Sequence, residues 1–141
     1  MFEGVHHVAY VVNDMEDAIR IFRDVFELPL SDRRVLEGKS SVEIATFQSG
    51  ATLIELMRPI NHPQLMQFLE EHGPGLHHVA FAMRDISRGI DELRNKSVYV
   101  GTPFVAPTGW KIAYFDFEKS SLDLLQSCHH GDHLAESGTP D

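Results

Sequence analysis

A single cysteine, Cys128, excludes any internal disulfide and points to a reducing compartment, with an inert thiol. Cations are scarce as well. The 12 Lys and Arg residues face 21 Asp and Glu, and the net charge of −9 lacks the basic stripe that a nucleic-acid backbone requires. No apolar run approaches the roughly 18 residues of a membrane-spanning helix. Phe2-Glu3-Gly4 follows Met1 without the charged and apolar regions of a secretory leader. These absences predict a cytoplasmic protein with neither nucleic acid nor membrane among its partners. At 141 residues and 43% hydrophobic content, the chain suits one compact domain, or two half-size units that share a core.

What the chain does have is an internal repeat. Gly4-Val5-His6-His7-Val8-Ala9-Tyr10-Val11-Val12-Asn13-Asp14-Met15 aligns with Gly75-Leu76-His77-His78-Val79-Ala80-Phe81-Ala82-Met83-Arg84-Asp85-Ile86. Each apolar run ends at an aspartate, Asp14 or Asp85, placed as a helix N-cap. The helix after Asp14 is expected to bury Met15, Ala18, Ile19, Phe22, Val25 and Phe26, and the one after Asp85 to bury Ile86, Ile90 and Leu93. Strands follow at Val35 to Glu37, Ser41 to Gln48 and Thr52 to Met57, and in the second copy at Val98 to Val100, Trp110 to Phe117 and Ser121 to Ser127.

The predicted architecture is therefore α+β, with two tandem βαβββ modules forming one curved mixed-sheet barrel. Module 1 runs from 4 to 58 and module 2 from 75 to 127, within a single domain spanning 1–128. The connector, 59–74, holds a short helix that starts at Asn61-His62-Pro63, carries Leu65, Met66, Phe68 and Leu69, and stops at Gly73-Pro74-Gly75. The polar segment 129–141 reads as a mobile tail.

An ionisable residue inside an apolar strand is costly unless it is paired or ligating. His7 and His78 fit that description at equivalent places, as do Glu55, in Leu53-Ile54-Glu55-Leu56-Met57, and Asp123, in Ser121-Leu122-Asp123-Leu124-Leu125. Two imidazoles and two carboxylates make a mixed site for one divalent ion: Zn, Co, Ni, Mn or Fe(II). The competing readings are core histidines hydrogen-bonded to backbone and edge-strand charges that deter strand pairing. His6 and His77 alternate to the opposite face. Glu43, in Ser41-Val42-Glu43-Ile44-Ala45, is expected to line the same cavity as an acid/base or as a solvated rim residue. His129, His130 and His133 read as solvated tail residues, and Trp110 as a core or pocket-wall residue.

The repeat with its paired histidines resembles the vicinal oxygen chelate, or glyoxalase-like, superfamily over residues 4–127. Within it, His7-Val8-Ala9-Tyr10, Ser41-Val42-Glu43-Ile44, Met57-Arg58-Pro59-Ile60, Phe68-Leu69-Glu70-Glu71-His72 and Gly75-Leu76-His77-His78-Val79-Ala80 resemble the methylmalonyl-CoA epimerases. The resemblance implies metal ligands at His7, Glu55, His78 and Asp123, with Glu43 and Asp123 as catalytic carboxylates. It also implies α-proton abstraction from an acyl-CoA thioester through a metal-stabilised enolate, and a homodimer.

Two departures are Glu55, where those epimerases have glutamine, and Asp123, where they have glutamate. The short turn Asp116-Phe117-Glu118-Lys119-Ser120 leaves Gln126 as an alternative ligand. Lys39, Arg58, Arg84 and Lys111 are candidates for the CoA phosphates. A glyoxalase I-like lyase, an Fe(II) dioxygenase and a metal-free small-molecule binding or resistance protein are the competing readings.

Overall fold

The computed structural model describes residues 1–116 and the backbone of residues 133–136. The chain divides into two compact units, His7–His77 and Met1–His6 together with the residues from His78 onward, so the division falls inside two strands.

In the unit His7–His77, β1 (Phe2–Val11) leads into α1 (Met15–Arg20), where the Asp14 side chain caps the helix by accepting from the Asp17 N–H. The strands β2 (Leu30–Leu36), β3 (Ser41–Ser49) and β4 (Thr52–Asn61) follow, then α2 (Pro63–His72). Their order is β2-β3-β4-β1: β3 runs antiparallel to both β2 and β4, whereas β4 and β1 are parallel.

Side-chain alternation gives this sheet two faces, both of them covered. On one, Met15, Ala18 and Ile19 of α1 pack against Ala45, Phe47 and Leu56. On the other, Leu65 and Phe68 of α2 pack against Ala9, Val11, Ile44 and Met57.

The α1 region departs from the expected pattern. Ile21–Val25 form a π-helical turn, closed by Phe26 N–H donating to the Ile21 carbonyl at 3.0 Å. The wider turn breaks the 3.6-residue period, so Phe22 stays half-buried while Val25 and Phe26, expected on the core face, are exposed. The connector helix forms as expected. The His62 ring accepts from the Leu65 N–H, Leu65 and Phe68 are buried, and Gly73 ends the helix at φ 74°.

In the other unit, β5 (Gly75–Met83), which starts in the first unit, leads to α3 (Ile86–Asn95), whose Ile86, Ile90 and Leu93 pack against Met83, Val100, Ala113 and Phe115. Short strands β6 (Tyr99–Val100) and β7 (Phe104–Val105) come next. The longer β8 (Lys111–Asp116) and β9 (His133–Glu136) complete the order β5-β9-β8-β6, with β7 paired to β8. That order repeats β1-β4-β3-β2.

Two differences from the sequence reading follow. The Gly101-to-Gly109 loop contains β7, because Ala106 and Trp110 close a turn that folds Phe104–Val105 back onto β8. Among the described residues the last strand of this unit is β9, inside the polar segment 129–141; it pairs parallel with β5 and antiparallel with β8. The expected strand Ser121 to Ser127 lies outside the described residues. Among the described residues, no helix is long and apolar enough to cross a membrane.

Gly73 combines φ 74° with ψ −178°, a region that a Cβ strongly disfavours. Gly73→Ala is expected to lower unfolding free energy by about 1–2 kcal/mol in urea titrations without changing metal content.

Candidate metal centre

The regular pairing of β1, β4 and β3 decides which side chains share a face. Ala9 opposes Glu55 and Glu55 opposes Thr46, so His7, Ala9 and Val11 of β1 share a face with Glu55 and Met57 of β4 and with Ile44 and Thr46 of β3. His7 and Glu55 are 2% and 5% exposed. His78, near the start of β5, is 6% exposed. Each of the three offers one ligand atom, and these atoms lie within 4.8 Å of one another.

The donor set has a feature that calls for a cation. Glu55 Oε2 is buried without a hydrogen-bond partner, a costly arrangement for a carboxylate. Burial pushes the Glu55 carboxyl up to about 7, against a smaller downward pull from Arg34. A divalent ion would supply the partner that this oxygen lacks, and two imidazoles with one carboxylate suit Zn, Co, Ni, Mn or Fe(II).

Glu43 does not line this cavity. It opposes Arg58 on β4, and Arg58 is odd-numbered steps from Glu55, so Glu43 belongs to the α1 face with Ala45, Phe47 and Leu56. There its carboxylate accepts from Arg33 Nε at 2.9 Å and from Arg58 Nε at 2.8 Å. Burial works to raise the Glu43 pKa, but the two guanidinium hydrogen bonds outweigh it and the pKa is lowered. The strand is the one expected, and its pleat phase relative to Glu55 turns Glu43 to the other face.

Asp123, Gln126, Cys128, His129 and His130 lie outside the described residues. The register places His133 opposite Ala80, as Glu55 is opposite Ala9. His6 meets the Trp110 ring edge-on at 4.8 Å and loses proton affinity through burial, and His77 meets the Phe68 ring edge-on at 5.0 Å. Of the cations considered for CoA, Arg58 is bound to Glu43 and Arg84 to Glu3.

Mixed βαβββ modules with a buried His, Glu, His group define a small α+β protein with a polar centre that could hold a metal ion. Residues 6–114 match the model of the Glyoxalase/Bleomycin resistance protein/Dioxygenase superfamily, and the chain belongs to that family. It is 28% identical to protein YqjC of Bacillus subtilis over 86% of this chain and 89% of that one. It is 29% identical to the mouse mitochondrial methylmalonyl-CoA epimerase over 67% of this chain and 53% of that one. It is 32% identical to barley 4-hydroxyphenylpyruvate dioxygenase over 61% of this chain but only 21% of the longer enzyme. Among solved structures, methylmalonyl-CoA epimerase from Mycobacterium tuberculosis superposes with a TM-score of 0.81 at 20% identity, covering 97% of this chain and 89% of that one. This likeness establishes the glyoxalase-like fold.

Two expectations follow. A carboxyl whose folded pKa is about 7 against 4.5 unfolded binds its proton more tightly when folded. The metal-free protein therefore loses stability as pH rises from about 4.5 to 7, by up to about 3 kcal/mol. Thermal melts across this range should show the slope in the wild type and lose it in Glu55→Gln; an unchanged slope would contradict the assignment. Glu43→Gln should leave metal affinity unchanged and lower unfolding free energy by about 1–2 kcal/mol, read by metal titration and urea denaturation.

Proposed function

We propose that His7, Glu55 and His78, together with Asp123, hold one divalent metal ion at which the protein epimerises methylmalonyl-CoA or a related 2-substituted acyl-CoA. The observation that carries this reading is the buried, unpartnered Glu55 Oε2 inside a His, Glu, His group. The likeness to methylmalonyl-CoA epimerases supports the substrate.

When bound, the metal supplies a positive charge that acidifies the proton between a thioester carbonyl and a carboxylate. His7 and His78 present neutral nitrogens to it, and one Glu55 oxygen does the same with charge. The other Glu55 oxygen is then available to take the α-proton. Asp123 returns a proton to the opposite face in this reading. Two carboxylates and two neutral imidazoles would also balance the ion's double charge, which favours Asp123 over the neutral Gln126 as the fourth ligand. Glu43, on the far face of β3, keeps a structural role.

A glyoxalase I-like lyase is the second reading. It is favoured by the carboxylate at Glu55, where the epimerases carry glutamine.

The test is deuterium exchange at the α-carbon of methylmalonyl-CoA, followed by NMR with metal content measured in parallel. The metal-loaded wild type should exchange. Glu55→Ala and His78→Ala should each weaken metal binding by more than about 100-fold and abolish exchange, and Asp123→Asn should lower both. Glu43→Gln should keep both. Metal binding without exchange, but with turnover of a glutathione hemithioacetal, would transfer the assignment to the second reading.

A further inference from the structure

Among the described residues, five polar or charged side chains are buried: His7, Glu43, Thr46, Glu55 and His78. Four are explained by their surroundings. His7, Glu55 and His78 form the candidate metal centre, and Glu43 is bound by two arginines on the other face. Thr46 is the fifth, at 7% exposed. Its hydroxyl can donate one hydrogen bond, and burying it without a partner is costly. Among the described residues nothing supplies that partner, and the oxygen is not sealed from solvent as Glu55 Oε2 is.

The strand register gives this hydroxyl its place. Thr46 lies opposite Glu55 on β4 and opposite Asp32 on β2, so Asp32, Thr46, Glu55 and Ala9 form one row across the face that carries His7. Neighbours in such a row have Cβ atoms about 5 Å apart. The row passes from solvent to core, since the Asp32 side chain is 48% exposed and Ala9 is fully buried. Leu65 and Phe68 of α2 cover Ile44 and Met57, in the neighbouring row. At the rim, Asp32 accepts from Arg34 Nε at 3.1 Å, so the two charges there satisfy each other. A ligand that reaches Glu55 along this row passes over Thr46. The hydroxyl does not serve Glu55 itself, whose Oε2 has no hydrogen-bond partner.

We propose that Thr46 donates its hydroxyl proton to a carbonyl oxygen of the ligand bound beside Glu55. This rests on the metal-site reading above and adds to it an uncharged donor for the oxygen on which charge develops as the α-proton leaves. The hydroxyl contributes direction where Asp32 and Arg34 contribute none, their charges being spent on each other.

The test uses the full chain loaded with zinc and titrated calorimetrically with acetohydroxamate, a planar chelator whose carbonyl oxygen carries enolate-like charge. Thr46→Val keeps the β-branched shape that suits a strand and removes only the donor. It should weaken acetohydroxamate binding about 3- to 10-fold while zinc content stays unchanged, and Thr46→Ser should restore most of the affinity. Thermal melts should show Thr46→Val at least as stable as the wild type, because a methyl replaces an unpartnered hydroxyl. Equal affinity in wild type and Thr46→Val would overturn the proposal. So would equal weakening by Thr46→Val and Thr46→Ser, the mark of a packing role, or a zinc-loaded wild type that ignores acetohydroxamate. A wild type that takes up no zinc would sink the metal-centre reading and the proposal with it, a failure distinguished by metal content alone.

Discussion

The regular pairing of β3 with β4 is the constraint on which the rest of this protein depends. From Val42 opposite Pro59 to Ser49 opposite Thr52 the register is unbroken, so every residue on the two strands is committed to one of two faces. One phase puts Glu55, Thr46, Ile44 and Met57 together; the other puts Glu43, Arg58, Ala45 and Leu56 together. A slip of one residue would exchange the buried, proton-retaining carboxyl of Glu55 for an arginine-bound one.

That constraint separates two carboxylates that look alike in sequence. Glu43 and Glu55 are each flanked by apolar residues in neighbouring strands, yet their environments drive their acidity in opposite directions. Glu43 receives two guanidinium hydrogen bonds and is held ionised. Glu55 is enclosed without a partner for Oε2, and burial favours its protonated form. The first arrangement ties β2, β3 and β4 to the α1 face. The second leaves a buried acceptor that a cation could satisfy.

Much of this was legible in the sequence because the repeat carries it. The twin His-His-Val-Ala runs locate β1 and β5, the capping aspartates locate α1 and α3, and Gly73 locates the end of α2. Burial of Glu55 could be anticipated from its apolar neighbours. The face of Glu43 could not, because it depends on the turn at Ser49–Gly50, which fixes the pairing. Nor could the π-helical turn that exposes Val25 and Phe26, since a single wider turn leaves no period to detect. The His133–Glu136 strand was hidden for a different reason: its polar, glycine- and proline-punctuated surroundings resemble a tail, and its place beside β5 and β8 is set by long-range pairing.

The central claim is that His7, Glu55 and His78 are ligands of one metal ion. X-ray absorption at the zinc edge of the loaded protein tests it most directly. The account predicts a nitrogen and oxygen shell at about 2.0–2.2 Å with the multiple-scattering signature of two imidazoles, which falls to one in His78→Ala. A sulfur shell at about 2.3 Å, or an imidazole signature indifferent to His78, would contradict it.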